Sequence, residues 1–490
     1  MTAINTNIGA INAQATMGRV NEEFNTAMTR LSSGKRINAA KDDAAGMAIS
    51  EKMTAQIKGL NQAVRNAADG KALVDTTEGA HVEVSNMLQR LRELAVQSAN
   101  DTNTASDRGS LMAEAKQLVS EVNRVAETTT FNGMNILDGT FGGKQLQIGA
   151  DSGTNMTINV DSAKATDIGA HKMSSEQSTA AFGAETIVIS GHRGSESFTT
   201  AGGESAKDIA AEINALSSST GVSATARTEA ILEGPTDGTT AVESTVSFEI
   251  NGVATKSVSV PASDPTGGER LSSLRDAIND ISSQTGVTAD INDDGNIVLS
   301  NAEGADIAID NFSATGTATE MVITTGDGAA TDTLDGTTTS VAMKGQVEMT
   351  STKTFSVATD VNAAAATETS FLAVDTDDNH FESSLDAVSE IDLTTAEGAD
   401  NALKVIDSAL SKISESRADL GAVSNRLDSV VSNLTNISTS VQAARSQVMD
   451  ADFAKESTNL ARGQILSQAA TAMLAQANSS QQNVLSLLRG

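Results

Sequence analysis

The side chains that could perform chemistry are few and scattered in this sequence. Its four histidines, His81, His171, His192 and His380, do not form the H-E-x-x-H pair of a zinc protease. Cysteine is absent, which excludes disulfides and thiolate nucleophiles. The sequence also lacks the glycine fingerprints of phosphate-binding and dinucleotide-binding loops. We therefore predict that the chain is not an enzyme and binds no cofactor or metal.

One acidic segment has the composition of a metal loop. Asp375-Thr-Asp-Asp-Asn379 resembles the start of a calcium-binding loop. Such a loop requires glycine where His380 stands and glutamate where Asp386 stands. We interpret the segment as a solvated acidic turn.

Composition and charge describe a chain with balanced ends and an acidic middle. Tryptophan and tyrosine are absent and aromatic residues make up 2% of the chain, whereas enzyme pockets are usually lined with large rings. The net charge of −30 falls almost entirely on residues 141–390. Such a surface repels nucleic acid and anionic membranes, so we expect no nucleic-acid partner. No apolar run is long enough for membrane insertion.

The two chain ends carry the repeats of long helices. All three prolines lie between residues 235 and 265, so the ends are free of helix breakers. A heptad near the C-terminus predicts a helix packed lengthwise against other helices. It runs through Leu403, Ile406, Leu410, Ile413, Leu420, Leu427, Val431, Leu434 and Val441. Further helices are predicted at about 45–100 and 106–129.

The extreme ends hold apolar stripes too narrow to fold alone. One stripe includes Ile4, Ile8, Ile11, Phe24 and Leu31, and the other includes Leu466, Met473, Val484 and Leu487. Apolar burial contributes roughly 25 cal/mol per Å², so one such helix pair hardly offsets its ordering entropy. We therefore predict that these residues form a polymerisation seam, where many copies pack into an open helical assembly.

Between the ends, the hydrophobic period changes to that of β-strands. Alternation around Leu146 and Met156 predicts a hairpin. The segment 213–224 recurs at 278–289 with strand-like sequence before and after each copy. We interpret this duplication as two β-β-α-β units.

Several segments resemble the signatures of bacterial flagellins. At the N-terminal end these are 31–49, 88–100 and 130–133; at the C-terminal end they are 416–427, 449–456 and 483–489. The resemblance covers about residues 1–160 and 391–490. The duplicated middle resembles the flagellin hook IN type of insert.

The resemblance implies an α+β fold with a long antiparallel helical bundle and coiled coil built from both chain ends. It places the filament-core coiled coil in residues 1–44 and 449–490. The bundle comprises 45–170, with its hairpin, and the C-terminal helix 391–448. The variable outer domains occupy 171–390, with repeats at about 184–232 and 245–312.

The resemblance also implies function and partners. The chain would be a motility filament subunit, extracellular and exported through the flagellar type III apparatus without a cleaved signal peptide. Expected partners are other copies of itself, the flagellin export chaperone, and the filament cap and hook–filament junction proteins. Toll-like receptor 5 is a further expected partner, because Gln89, Arg90, Leu94 and Glu114 match positions through which similar flagellins are recognised. The same residues would also form inter-subunit surface.

Three other functions are compatible with parts of the sequence. A hook–filament junction protein would have similar ends, although the ending 483–489 favours a flagellin. An adhesive module would use the duplicated middle to bind a surface and the ends only for display. An enzyme carried on a filament would require a catalytic constellation, which the sequence lacks.

Overall fold

The computed structural model describes residues 6–236, 243–262, 270–292, 294–316, 320–328, 330–335, 337–360, 370, 372 and 380–489, with only the backbone from 481 onward. The chain divides into two compact units. Unit one comprises residues 1–78, 141–160 and 418–490, and unit two comprises residues 79–140 and 161–417.

The helices lie mainly at the two ends of the chain, as the periodicity predicts. Their bounds are α1 Ile8–Ser33, α2 Ala44–Ser98, α3 Ala105–Thr128, α4 Ala206–Ala215, α5 Ser217–Thr220, α6 Ser272–Asn279, α7 Ser282–Thr285, α8 Ala396–Met449 and α9 Phe453–Arg489. A short 3₁₀ helix spans Val388–Glu390. Within the described residues, no helix is both long and apolar enough to cross a bilayer.

The strands occupy the middle of the chain. In the first part they are β1 Thr130–Phe131, β2 Met134–Asn135, β3 Lys144–Gln147, β4 Asn155–Ile158, β5 Gly169–Ser174, β6 Thr186–Ser190, β7 Ser195–Thr199, β8 Ser223–Leu232, β9 Ser244–Ile250, β10 Val253–Ala254 and β11 Val258–Val260. They continue as β12 Thr288–Ile291, β13 Ile297–Asn301, β14 Ile307–Gly316, β15 Glu320–Thr325, β16 Thr331–Asp335, β17 Val341–Met343, β18 Gln346–Ser351, β19 Ser356–Thr359, β20 His380–Glu382 and β21 Ser384–Ala387. This distribution confirms the predicted α+β class.

Short polar side chains define the helix ends of unit one. The Asn7 side chain accepts a hydrogen bond from the Ala10 amide, and α1 ends where Gly34 adopts a φ of 68°. Asp43 then begins α2 by accepting from the Gly46 amide at 2.8 Å. Asp42 accepts from the Ala39 and Asn38 amides, and these hydrogen bonds lower the pKa of its carboxyl. The connection between α1 and α2 is therefore fixed by backbone capping.

The heptad of α8 buries its side chains at intervals of seven residues. Ile406, Ile413, Leu420, Leu427 and Leu434 are all buried. The other predicted heptad position, which includes Leu403, Leu410 and Val431, is only half-buried. Ala402 and Ala409 are buried instead. The heptad therefore identifies the buried position that runs from Ile406 to Leu434. At the second buried position of α8 the side chains are alanines, Ala402 and Ala409, and not the predicted leucines.

In unit one, α8 packs beside α2 and the hairpin β3–β4. Leu434 clusters with Leu60 and Ala63 of α2. A Cβ added to Gly70 would lie 2.5 Å from the Leu146 side chain, so glycine gives the hairpin room to approach α2. The Asn66 amide donates to the Gln147 carbonyl at 2.9 Å. Strands β3 and β4 pair antiparallel as a hairpin, and this hairpin contacts α2.

In unit two, the duplicated segments form β-β-α-β units with the same local chemistry. The first runs through β6, β7, α4 and β8, and the second through β9, the short strands β10 and β11, α6 and β12. Asn214 accepts from the Ala224 amide and donates to its carbonyl, and Asn279 does the same with Ala289. Each unit thus joins its helix to its last strand through one asparagine, so the repeated sequence forms repeated local structure.

Strands from later in the chain complete the sheets of both repeats. The largest sheet has the order β12-β13-β8-β18-β5-β21, with β15 also pairing β8 and β16. A second sheet has the order β20-β19-β6-β7, and a third the order β10-β9-β14-β17. The predicted boundary at residue 170 falls inside β5, which pairs antiparallel with β18 and β21.

Candidate assembly and recognition surfaces

The helices α1 and α9 pack against each other through small and apolar side chains in unit one. On α1, Val20 and Ala27 are buried, and Met17, Phe24 and Leu31 are half-buried. The covered face of α9 is spaced by seven residues and consists of Glu456, Gly463, Ala470 and, half-buried, Ala477. Gly463 lies against Phe24, whose Cβ is 3.3 Å from the position a Cβ of residue 463 would take. The predicted coiled coil between the chain ends is therefore present.

Polar contacts fix the register of α1 against α9. Arg30 Nη1 lies 3.4 Å from Glu456 Oε1, with 28% and 8% of the two side chains exposed. At the other end of the pair, the Asn7 amide donates to the Ala477 carbonyl at 3.3 Å. A charged pair within an apolar seam favours one alignment, because any shift separates the two charges.

The predicted polymerisation seam divides into two groups in the structure. Phe24 and Leu31 belong to the face where α1 meets α9. By contrast, Ile8, Ile11, Leu466 and Met473 are exposed, with 63% of Ile8 and 66% of Met473 in contact with solvent. Ile4 lies outside the described residues. Val484 and Leu487 fall within α9, but their side chains also lie outside the described part.

The exposed group is larger than the heptad pattern indicated. Most of the large apolar side chains that are exposed in the described residues lie on α1 and α9. They are Ile8, Ile11 and Met28 on α1, and Phe453, Ile465, Leu466 and Met473 on α9. We refer to these seven residues as the outward apolar set. Met28, Phe453 and Ile465 were not predicted, because a heptad search selects only the stripe with the most regular spacing.

The candidate recognition surface is a charged cluster on α2 and α3 of unit two. Arg90 Nη2 lies 2.8 Å from Glu114 Oε1, and Arg90 Nη1 lies 2.8 Å from Glu93 Oε2. These hydrogen bonds, first to Glu93 and then to Glu114, raise the pKa of the Arg90 guanidinium. Gln89 is exposed beside them. The structure therefore brings three of the four predicted residues to one accessible patch.

Leu94 is a correction to the predicted surface. Only 1% of this side chain is exposed, and the neighbouring Leu88, Leu91 and Ala95 are equally buried. Leu94 therefore packs in the core beneath the patch, and a surface role is wrong for its side chain in this conformation. The sequence could not show this, because α2 is apolar on more than one side.

The other candidate residues form no chemical site in the described part of the chain. No group of three histidine or acidic side chains is close enough there to hold a metal ion. His81 is buried in α2, whereas His380 is exposed at the start of β20. The calcium-like segment 375–379 lies outside the described residues.

Family models match three parts of the chain. The bacterial flagellin N-terminal helical region matches residues 4–142, and the bacterial flagellin C-terminal helical region matches residues 403–488. The flagellin hook IN motif matches twice, over residues 186–246 and 247–303. The two hook IN matches correspond to the two β-β-α-β units.

Similarity to curated proteins extends over the whole chain. The B-type flagellin of Pseudomonas aeruginosa is 37% identical over 515 residues, with 99% of each chain covered. Flagellin A of Vibrio anguillarum is 34% identical over 491 residues, again with 99% of each covered. The flagellin of Salmonella typhimurium is 35% identical over 519 residues at the same coverage.

Solved structures of flagellar proteins are also similar to this chain. FliC from Burkholderia pseudomallei is 19% identical, with 73% of this chain and 99% of that chain covered and a TM-score of 0.30. Flagellar hook associated protein-3 from Legionella pneumophila is 13% identical, with 81% and 98% covered and a TM-score of 0.36.

Proposed function

The chain belongs to the bacterial flagellin family, whose members are structural subunits of the flagellar filament, and we propose that it polymerises through α1 and α9. Flagellins are structural proteins, so membership of the family confirms that the chain is not an enzyme. The polymerisation itself is our proposal, and it names the helices and side chains that carry the contacts between copies.

The observation that carries the proposal is the outward apolar set. Its seven side chains are exposed on two helices that already use their other faces to pack against each other. Large exposed apolar side chains concentrated on one element mark an interaction surface. The face between α1 and α9 is rich in alanine and glycine and buries little area, so further burial must come from other copies.

Self-assembly tests this proposal directly. Purified full-length chain would be treated with ammonium sulfate, which strengthens apolar burial, and viewed by electron microscopy. A chain lacking residues 466–490 should form no filaments. The double variant Ile465→Ser and Met473→Ser should keep the fold of the monomer, because both side chains are exposed, but it should lose assembly.

A matched control separates loss of apolar contact from general disturbance of α9. Gln464 is exposed beside Ile465, so Gln464→Ser changes the same helix without removing an apolar side chain. We expect this control to assemble as the unaltered chain does. Filaments of normal length and yield from the Ile465→Ser, Met473→Ser variant would refute the proposed contacts.

We also propose that the chain acts outside the cell after export without a cleaved signal peptide. The proposal includes export through the flagellar type III apparatus, with the export chaperone, the filament cap and the junction proteins as partners. Membership of the flagellin family supports this proposal. Mass spectrometry of the chain recovered from the culture medium should still detect its N-terminal residues, because no signal peptide is removed during the proposed export. Equal secretion from cells that lack the export apparatus would contradict this route.

A second proposed function is recognition of the monomer by Toll-like receptor 5. The supporting observation is the exposed patch of Gln89, Arg90 and Glu114, in which an arginine is held by two carboxylates. Arginine is enriched among residues that dominate binding at interfaces. We expect Arg90→Ala to reduce signalling in a receptor reporter assay.

The control for the receptor test is another exposed arginine with an acidic partner. Arg124 on α3 pairs with Glu121, and more than half of its side chain is exposed. Arg124→Ala should therefore leave signalling unchanged. If Arg90→Ala and Arg124→Ala had the same effect, the patch would not be the recognition site.

A further inference from the structure

Two Asn-Gly turns in this chain have nearly the same backbone geometry. Asn132-Gly133 joins β1 to β2, with φ angles of 51° and 78°. Asn251-Gly252 joins β9 to β10, with φ angles of 51° and 79°. Positive φ at both central residues is the geometry of a type I′ hairpin turn, for which Asn-Gly is the preferred pair. The two turns can therefore be compared directly.

The side chain of Asn251 is held by other parts of unit two. Its amide group donates to the Thr285 carbonyl at 3.2 Å, and its carbonyl oxygen accepts from the Ala308 amide at 2.9 Å. The backbone amide of Asn251 also donates to the Ala308 carbonyl at 2.9 Å. Both ends of the side-chain amide are thus engaged, and the turn is tied to β14.

Asn132 lacks these restraints. Its side chain is exposed and makes no hydrogen bond with any described residue. The hairpin that carries it has only two residue pairs, Thr130 with Asn135 and Phe131 with Met134. The side-chain carbonyl of Asn132 can therefore rotate towards the following backbone nitrogen more freely than that of Asn251.

We propose that Asn132 is a site of spontaneous deamidation in the folded chain. The backbone nitrogen of Gly133 attacks Cγ of Asn132, a new C–N bond forms, and ammonia leaves with the proton from that nitrogen. Gly133 has no side chain to obstruct the approach. Water then opens the resulting five-membered imide at either carbonyl, which yields aspartate or isoaspartate at residue 132. Only the chain and water take part.

The product changes the hairpin in two ways. It introduces a negative charge at the turn, and isoaspartate adds one methylene to the main chain. Ile136 and Leu137 directly follow this hairpin and are fully buried. A longer backbone at residue 132 would shift the chain that leads into these two core side chains. The modification would therefore loosen the packing of this corner of unit two.

The test compares the two turns within one molecule. Full-length chain would be kept in mildly alkaline buffer made with ¹⁸O-labelled water, and tryptic peptides would be followed by mass spectrometry. Acid at residue 132 should accumulate about tenfold or more faster than at residue 251, because release of Asn251 breaks two hydrogen bonds. Isoaspartate would be identified by its enzymatic methylation.

A parallel sample unfolded in urea separates the effect of the fold on the deamidation rates from the effect of the local sequence. Without the fold, the rates at the two Asn-Gly pairs should become similar. The variant Asn132→Gln should remove the signal at residue 132 and leave the rate at residue 251 unchanged. Conversion of Asn251 as fast as Asn132 in the folded chain, or the same rate ratio in both solvents, would overturn the proposal.

Discussion

Arg30 of α1 and Glu456 of α9 form an ion pair at 3.4 Å between helices from opposite ends of the chain. Glu456 occupies a position of the seam that Gly463 and Ala470 continue at intervals of seven residues. The carboxylate is almost fully covered, whereas the guanidinium keeps some contact with solvent. This ion pair therefore helps to fix the alignment of α1 against α9, whose interface otherwise consists mainly of small and apolar side chains.

The first prediction concerns this ion pair. Glu456→Met should destabilise the pairing of α1 with α9 by about 1–2 kcal/mol, because Arg30 is left without its partner while solvent partly screens its charge. The double variant Arg30→Met and Glu456→Met should recover most of this loss. Hydrogen exchange of the α1 amides measures both effects. Equal exchange in all three proteins would show that the pair contributes nothing to the register.

The second prediction concerns Gly463. Gly463→Val would place a branched side chain against Phe24, and separating the helices to admit it should cost about 1–3 kcal/mol. Gly18→Val is the matched control, because no atom lies within 4 Å of the Cβ it would add. Helix propensity favours valine over glycine, so the control should be neutral or slightly more stable. Thermal unfolding followed by circular dichroism distinguishes the two, and equal melting temperatures would contradict the prediction.

The third prediction concerns pH and two histidines of unit two. Burial, with the charge of Lys412, lowers the pKa of His171. Burial also lowers the pKa of His192, where Lys353 and Arg193 act in the same direction and Glu415 opposes them. The folded state thus prefers neutral imidazoles. The two histidines should not reduce the stability of the folded state at a pH above 6.5, the ordinary pKa of histidine in an unfolded chain. Stability should fall as the pH drops below 6.5, because the unfolded state then binds protons more readily than the folded state.

Urea unfolding between about pH 5 and about pH 8 measures this dependence. The double variant His171→Gln and His192→Gln should show a smaller loss of stability towards the acid end. An identical pH profile in the variant and the unaltered chain would show that other groups cause the loss.

The fourth prediction concerns a buried lysine. Lys344 Nζ lies 2.5 Å from Asp306 Oδ2 and donates to the Gly203 carbonyl, with 7% of its side chain exposed. Asp306→Ala should destabilise unit two by about 3 kcal/mol, because it leaves a buried ammonium without its counter-charge. Adding Lys344→Met should recover part of that loss. Urea unfolding measures the stabilities of the unaltered chain, of Asp306→Ala and of the double variant. A double variant no more stable than Asp306→Ala would contradict the prediction.

The helical ends could be predicted because their signal is local. Five side chains of α8, from Ile406 to Leu434, repeat at seven-residue intervals and are all buried. The end of α1 also depends on a local residue, because Gly34 supplies the positive φ that stops the helix. The sequence predicts less well which side of a helix is buried, as the buried Leu94 shows. A helix covered on several sides has no polar face to mark which leucine is reachable.

The strand order could not be predicted for the opposite reason. β18 alternates buried and half-buried residues, with Val347 and Met349 in the core beside Ile187 and Ile213. That alternation is a local signal, but pairing β18 with both β5 and β8 joins segments about 120 or more residues apart. No pattern within one strand specifies such distant partners. The asparagines that join helix to strand in the two repeats, Asn214 and Asn279, likewise stand out in the sequence only as part of a repeated segment, which does not reveal their hydrogen bonds.

The interleaved sheets constrain the order in which this chain can acquire structure. Among the strands of the larger sheets, β5, β6 and β7 are synthesised first, yet β6 pairs with β19 and β5 pairs with β18 and β21. Those partners are synthesised only when residues 346–387 appear. The early strands therefore keep unpaired edges until these partners appear, and pairing between strands so far apart in sequence is slow. A chain interrupted before β18 would keep its first repeat incomplete, however much of it had already been made.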